Sequence, residues 1–554
     1  MKKLLLIFIC LPLASQELAE VLWGNEKLSN AFNYKQINQS AIDGLDNGRP
    51  IAGTLSIKNN AIGKGYKVLV DDKKLFNKSH EDFPKFSIEF SSYEGRVYPL
   101  NSRILETDHP FWNIQFGIGS SRADNTSSDT LLVIPFNLVH KTANCTHSGI
   151  GVFSISNLNK ISNILFELAS ETCAYYKFDY VGLLPAQFIT SDTKNNKNLI
   201  YSDVNETLFN IKPIEHLYSE FELNGNSFLN TNYVDTSNVS MFGVIDGDDH
   251  YVSNCNTRLG EFPFCDQILL PSYSLAKSIA GSLSMSLIES QFGAINNLFI
   301  NDLISECNQR KWKGVSLNNV SDMATGQYIN AVHDRDESGV ASVQFIFKLQ
   351  THKDKLNKAC RAFPRKTKPG RKFVYHTTDT YILGTAMNSF LQSNTIYEDY
   401  FEDILIPFLI QNNFSQVSQS TLQTNDNNKQ PYTGWGMFFI REDLQQISNI
   451  MHKVMKDTSS NLSFLHEALN PNDKNSLLAI PEANIYYNNG FWSRKFDKSL
   501  FNCKEDIWIP FMSGFGGITF AFFPNGMTYY YFSDGYAYAW ESAVFSSNSI
   551  KPFC

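Results

Sequence analysis

The chain has little with which to hold a nucleic acid, a structural metal or a bilayer. Its 554 residues carry 47 Lys and Arg against 55 Asp and Glu, a formal charge of -8, so no basic excess is there to track phosphates. No Cys-x-x-Cys pair occurs and the eleven histidines are scattered, which leaves no zinc-ligand spacing. After the amino-terminal segment no apolar run approaches the length that spans a bilayer. Internal repeats and long low-complexity tracts are missing too; the polar stretch 423–430 is a short loop. These gaps call for no metal, no cofactor, no nucleic-acid partner and no membrane span.

With 43% hydrophobic and 18% charged residues the chain has material for two globular domains, or three. Its start reads as a secretory signal over residues 1–16: a basic Met1-Lys2-Lys3, an apolar core over 4–13, and Ala14-Ser15-Gln16 as the cleavage region. Cys10 admits a lipoprotein reading, although Ile9 stands before it where a small residue is expected. The eight remaining cysteines fall in sequence-near pairs, 145 with 173, 255 with 265, 307 with 360 and 503 with 554. Such a pairing is one of about 105 connectivities, attractive because each bridge closes a local loop in an exported protein. His140 and His147 flank Cys145 and read as residues of a solvated loop rather than as ligands.

Residues 17–212 are rich in strand-like runs, 66–70, 86–90 and 131–136, set off by Asn, Ser, Asp and Gly turns. A helix is expected over 157–170. This region reads as a mostly-β accessory domain, a sandwich in outline, with no legible function. From 213 to 554 the pattern is mixed. A hairpin is expected at 241–253 around Asp246-Gly247, and a second at 517–532 around Pro524-Asn525-Gly526. First and last strands would then be neighbours in one antiparallel sheet. Helices are expected over 298–309, 379–392 and 441–456, the last with Leu444, Ile447, Met451 and Val454 on one face.

Chemistry is concentrated in Ser274-Leu275-Ala276-Lys277, followed by the apolar Ile279, Leu283, Met285 and Leu287. On a helix, residues three apart share a face, so Lys277 can reach the Ser274 hydroxyl. A lysine desolvated by apolar neighbours can accept the serine proton, and a helix start offers free N–H groups to developing negative charge. Ser-x-x-Lys alone is a common pair. Further segments follow in order: Val315 to Gly326, then Tyr375 entering a helix after Lys368-Pro369-Gly370, then Gly434-Trp435-Gly436-Met437 with Arg441-Glu442-Asp443-Leu444. Phe511-Met512-Ser513-Gly514-Phe515-Gly516-Gly517 comes last.

Taken together, these segments resemble the serine beta-lactamase and penicillin-binding-protein superfamily. The closest look is to its class C-like branch of esterases, D-amino-acid peptidases and 6-aminohexanoate-oligomer hydrolases. The resemblance covers roughly 215–554. It implies an α+β fold, an antiparallel sheet flanked by helices meeting an all-helical lobe. It implies Ser274 as acylated nucleophile, Lys277 as its base, Tyr375 as acid and base, and an oxyanion hole from the backbone N–H groups of Ser274 and Phe515. Thr377, Met512, Ser513 and Gly514 would contact substrate. Two positions depart from the pattern: Thr377 stands where many relatives carry asparagine, and Met512 where they carry lysine or histidine. A cationic grip on a substrate carboxylate is then missing, unless Arg371 or Lys372 supplies it. The expectation is an exported hydrolase of a small or peptide-like ester or amide rather than a true beta-lactamase. The alternative is a binding or scaffold protein of the same fold.

Overall fold

A computed structural model describes residues 17–25, 27–28, 49–57, 62–63, 65–123, 129–191, 209–457, 459 and 461–554. The signal segment 1–16 and Cys10 lie outside the described residues. The fold is α+β.

The first region is one twelve-stranded sheet, ten strands in a single hydrogen-bonded path and two more paired beside it. At its centre Thr130–His140, Thr146–Ile155, Ile164–Thr172 and Tyr176–Leu184 pair antiparallel in sequence order. The first three are buried at every position, so they are covered on both faces. Leu55, Phe116, Phe136, Phe153 and Phe166, from strands distant in the sheet, line one small apolar hollow with Phe83 from a connecting segment. Distant strands of the sheet therefore face one another across that hollow.

Two expectations are corrected here. The helix expected over 157–170 is the strand Ile164–Thr172, preceded by a turn in which Asn159 adopts a φ of 60°. Its apolar residues serve both faces of a buried strand, and pairing with two neighbours outweighs helical propensity. His140 and His147 lie on strands, 5% and 1% exposed. Burial pushes His140 down to about 3 and His147 well below the usual imidazole range, so both are neutral parts of the core.

The second region holds a nine-stranded sheet. Val239–Asp246 pairs with Asp249–Val252 on one side and with Met527–Ser533 on the other, so first and last hairpins are neighbours as expected. Ile518–Phe522, Ile507–Gly514, Phe491–Phe496, Ile485–Asn488 and Leu477–Ile480 continue the antiparallel order. Asn210–Pro213 adds a parallel edge beside Asp249–Val252.

Alternation along these strands sorts two cores. Met512, Phe520, Phe522, Tyr530 and Phe532 join the large core shared with the helices. Phe511, Ala521, Tyr529 and Tyr531 pack with Trp540 and Val544 at the carboxy-terminal helix Glu541–Ile550.

The lobe opposite the sheet contains Thr377–Asn394 and Arg441–Lys456. In the latter, Leu444, Ile447, Met451 and Val454 are buried, and the Asp443 carboxylate accepts from the Ile440 N–H at the helix start. The helix expected over 298–309 is only Ile300–Leu303, followed by single turns at Ser305–Cys307 and Arg310–Trp312. Ile304 is extended there, and Cys307 is drawn to Cys360 on the helix His352–Arg361. All four expected bridges are present: Cys145–Cys173, Cys255–Cys265, Cys307–Cys360 and Cys503–Cys554.

Candidate active site

Ser274 lies in a single tight turn, Tyr273–Leu275, not in the regular helix expected. A wide-wound stretch Lys277–Leu283 follows, and only Ser284–Phe292 is regular α-helix. Tyr273, just before the serine, has a φ of 41°, a left-handed conformation costly for a residue with a side chain. The turn is thereby sharp enough to present Ser274 to a cleft while its neighbours Tyr273, Leu275 and Ala276 stay buried. The Ser513-Gly514 end of the strand Ile507–Gly514 crosses against this turn. A Cβ on Gly514 would lie 3.1 Å from the Ser272 carbonyl oxygen and 3.2 Å from Leu275, so a side chain there would have to push the turn or the strand aside.

Around the Ser274 hydroxyl the geometry is specific. Lys277 Nζ lies 3.0 Å from Ser274 Oγ, 3.0 Å from Thr377 Oγ1 and 2.9 Å from the Gly434 carbonyl oxygen. Tyr375 Oη donates to Ser274 Oγ at 2.7 Å. Thr377 is held in turn by Glu337: its N–H donates to Oε2 at 2.9 Å and its hydroxyl to Oε1. Because that hydroxyl hydrogen is committed to a carboxylate, Thr377 Oγ1 can only accept from Lys277. The Gly434 carbonyl can only accept as well. Two of the amine's directions are thus filled by acceptors, and the third faces Ser274.

Protonation follows from burial. Lys277 is 2% exposed, and desolvation pulls it down to about 8, against the opposing pull of Glu337. Burial, with Glu337 adding to it, pushes the Tyr375 phenol well above its ordinary range. The phenol is therefore an O–H donor near neutral pH. The ring of Tyr375 is stacked on Trp492, with centroids 5.7 Å apart, and Lys277 Nζ sits 5.1 Å from the tyrosine ring centre.

The loop carrying Glu337 is pinned one residue earlier. Asp336 accepts from the N–H groups of Ile329 and Asn330, and its carboxylate lies 3.1 Å from His376 Nε2. Burial opposes a charge on His376, but Asp336 and Asp379 outweigh it and push the imidazole up to about 9. A charged His376 thus ties the Glu337 loop to the start of Thr377–Asn394.

The cleft in front of Ser274 encloses about 590 Å³. Its walls are rich in aromatic rings, Tyr175, Phe347, Trp435, Trp492, Phe515 and Tyr538 among them. Of the cations on it, Arg494 is paired with Glu541 and Lys73 is exposed; Asp334 and Glu337 add negative charge. Arg371 and Lys372 are exposed and do not line it.

The site residues expected from the sequence divide accordingly. Ser274, Tyr375, Thr377, Ser513, Gly514 and Phe515 line the cleft, and Lys277 lies directly behind the serine. Met512 does not belong with them. It is 0% exposed and faces the opposite side of its strand, in the large core with Phe520 and Tyr530, because neighbours along a strand point to opposite faces. Reading the sequence missed Glu337, which looks like one more acid in the polar run Asp334-Arg335-Asp336-Glu337. It also missed Asn144 and Tyr175, which arrive from the first region.

No family model matches this chain, and no curated protein does. Among solved structures it is similar to a protein assigned as a 6-aminohexanoate-dimer hydrolase from Bacillus anthracis. That match has 15% identity and a TM-score of 0.41, covering 61% of this chain and 81% of that one. It is also similar to a class C beta-lactamase, with 14% identity and a TM-score of 0.39 over 65% of this chain and 97% of the other. A protein assigned as a beta-lactamase from Bacteroides dorei gives 11% identity and a TM-score of 0.40, over 58% and 96%.

Proposed function

We propose that this chain is a serine hydrolase related to the beta-lactamases, which cleaves an ester or amide through an acyl-enzyme. The observation that carries the reading is that Ser274 Oγ is met at once by Lys277 Nζ at 3.0 Å and by Tyr375 Oη at 2.7 Å. With Lys277 neutral, its two N–H bonds go to Thr377 and Gly434, and its lone pair faces the serine hydrogen. Lys277 then takes that proton as Ser274 Oγ bonds to the carbonyl carbon. Tyr375, held as a phenol, is suited to protonate the leaving oxygen or nitrogen. Once the leaving group has departed with the Tyr375 proton, the proton on Lys277 passes to the phenolate and restores amine and phenol. A water then gives a proton to Lys277 as its oxygen bonds to the acyl carbon, and that proton moves to Ser274 Oγ as the acyl–oxygen bond breaks and the acid leaves. The N–H groups of Ser274 and Phe515, on the turn and just past the strand end that crosses it, are the proposed donors to the tetrahedral oxyanion.

Substrates without an essential carboxylate fit best. Met512 is buried, Arg494 is occupied by Glu541, and Glu337 and Asp334 add negative charge against the single lysine among the described residues of the cleft wall, Lys73. Export fits the four bridges, which persist in oxidising compartments, and no helix among the described residues is long and apolar enough to cross a membrane. The test is covalent labelling by a fluorescent phosphonate in wild type and in Ser274→Ala. Labelling of wild type alone supports the reading; none in wild type favours a binding protein of the same fold.

A further inference from the structure

Two loops of the first region reach into the second, one to the turn that bears Ser274 and one to the strand end that crosses it. The first is 142–146. Asn144 is 0% exposed, at a φ of 51°. Its Oδ1 accepts from the N–H of Tyr273 at 2.7 Å and from the N–H of Gly436 at 3.1 Å, and lies 3.4 Å from the Ser272 hydroxyl. Its Nδ2 donates to the Met437 carbonyl at 3.3 Å. Beside it, Thr146 Oγ1 donates to the Leu269 carbonyl at 2.8 Å, and the Trp435 indole donates to the Thr142 carbonyl at 3.2 Å.

The second loop is 173–175 with the start of the strand Tyr176–Leu184, joined to the first by the Cys145–Cys173 bridge. The Cys173 N–H donates to Asp534 at 3.1 Å, Lys177 pairs with Asp534 at 2.6 Å, and Tyr536 Oη donates to the Ala174 carbonyl at 2.7 Å. The ring of Tyr175 stacks on Phe515 with centroids 5.2 Å apart. One loop thus holds the turn bearing Ser274, the other the strand end bearing Phe515, and a disulfide links the two.

We infer that the first region is a built-in part of the active site and that Asn144 is a positioning residue for the nucleophile. The inference rests on the serine hydrolase reading above. Its physical core is the left-handed conformation of Tyr273, which the chain leaves unless something holds it. In that conformation the Tyr273 N–H points at the Asn144 carboxamide. The same carboxamide holds Gly436 and Met437, two and three residues past the carbonyl that orients Lys277. One side chain therefore sets both the direction of Ser274 Oγ and the acceptor behind its base. Without it, two buried N–H groups lose their acceptor and the turn relaxes, carrying Ser274 away from Lys277 and Tyr375.

The experiment compares wild type, Asn144→Ala and Asn144→Asp in the full chain. Reactive sites are counted by a phosphonate that releases p-nitrophenol, and turnover of p-nitrophenyl butyrate is expressed per reactive site. Asn144→Ala is expected to lose about a hundredfold in kcat per reactive site, with KM within about threefold, as a displacement near 1 Å produces. Asn144→Asp keeps the two acceptor bonds and should recover about tenfold of that loss. A merely structural role would reduce the number of reactive sites and the melting temperature, yet leave per-site kcat within about twofold of wild type. That result overturns the inference while leaving the serine hydrolase reading intact. If Asn144→Ala does not fold, Asn144→Asp decides alone, with per-site kcat lowered about tenfold as the supporting result and wild-type kcat as the refuting one. Wild type that neither labels nor turns over refutes the hydrolase reading itself, and this inference with it.

Discussion

A lysine that must be neutral to act as a base, yet is held at about 8, should write its titration into the rate. At pH 7 about one-eleventh of Lys277 would be neutral, so kcat/KM should climb roughly tenfold from pH 7 to a plateau above pH 9. The sign is set by the mechanism: activity rises with pH because the deprotonated amine is the active form. Glu337 provides the sharper test. Its carboxylate lies one hydroxyl beyond Lys277, through Thr377, and it favours the ammonium form. At about 5 Å and an effective dielectric of about 20, a unit charge contributes roughly 3 kcal/mol, or about two pK units as an upper limit. Glu337→Gln should therefore move the ascending limb downward, by about one unit after solvent screening. The plateau should fall as well, because glutamine cannot accept from both the N–H and the hydroxyl of Thr377 while its amide end donates. The assay is kcat/KM for p-nitrophenyl butyrate from pH 6 to 10, corrected for spontaneous hydrolysis. A limb that stays in place or moves upward in Glu337→Gln would refute the account of Lys277 as the base.

Ser274→Ala should abolish phosphonate labelling and turnover with the fold intact, and Lys277→Ala should lose most activity near neutral pH; residual turnover at the wild-type level in either removes that residue from the mechanism. Tyr375→Phe should reduce amide hydrolysis far more than hydrolysis of p-nitrophenyl esters, whose leaving group needs no proton; equal losses on both would place the phenol elsewhere in the chemistry. p-Nitrophenyl butyrate should be preferred in kcat/KM over nitrocefin and over a D-Ala-D-Ala peptide. A preference of more than about tenfold for either anion, roughly 1.4 kcal/mol, would mean that a cation reaches the carboxylate after all. Intact-mass analysis should find no alkylatable thiol among residues 145–554, and loss of any one bridge should cost about 2–5 kcal/mol of stability, read as a fall in melting temperature.

Much of the site is local in the chain, and so was legible there. Ser274 and Lys277 are three residues apart, and the Tyr375 hydroxyl and Thr377 flank one helix start. The terminal hairpins carry their turns in Asp246-Gly247 and Pro524-Asn525-Gly526, and the bridges join sequence neighbours. Apolar residues spaced three and four apart mark Arg441–Lys456 as an amphipathic helix whatever it packs against. These features depend on covalent distance and side-chain chemistry, which a sequence states directly.

Other features depend on which surfaces meet. Ile164–Thr172 is a strand because two partners flank it, and nothing in its composition announces them. Met512 is one residue from the cleft in sequence and on the far side of a sheet in space. Glu337 becomes part of the site only because Asp336 and His376 bring its loop to Thr377, forty residues away. Asn144 reaches Tyr273 across 129 residues, from a region whose sequence shows no function. By itself the sequence determined the candidate serine and its neighbouring lysine, the amphipathic helix Arg441–Lys456, the two hairpins and the four bridges. Only the tertiary structure decided which acid, amide and aromatic rings surround that serine, because long-range packing sets what each side chain faces.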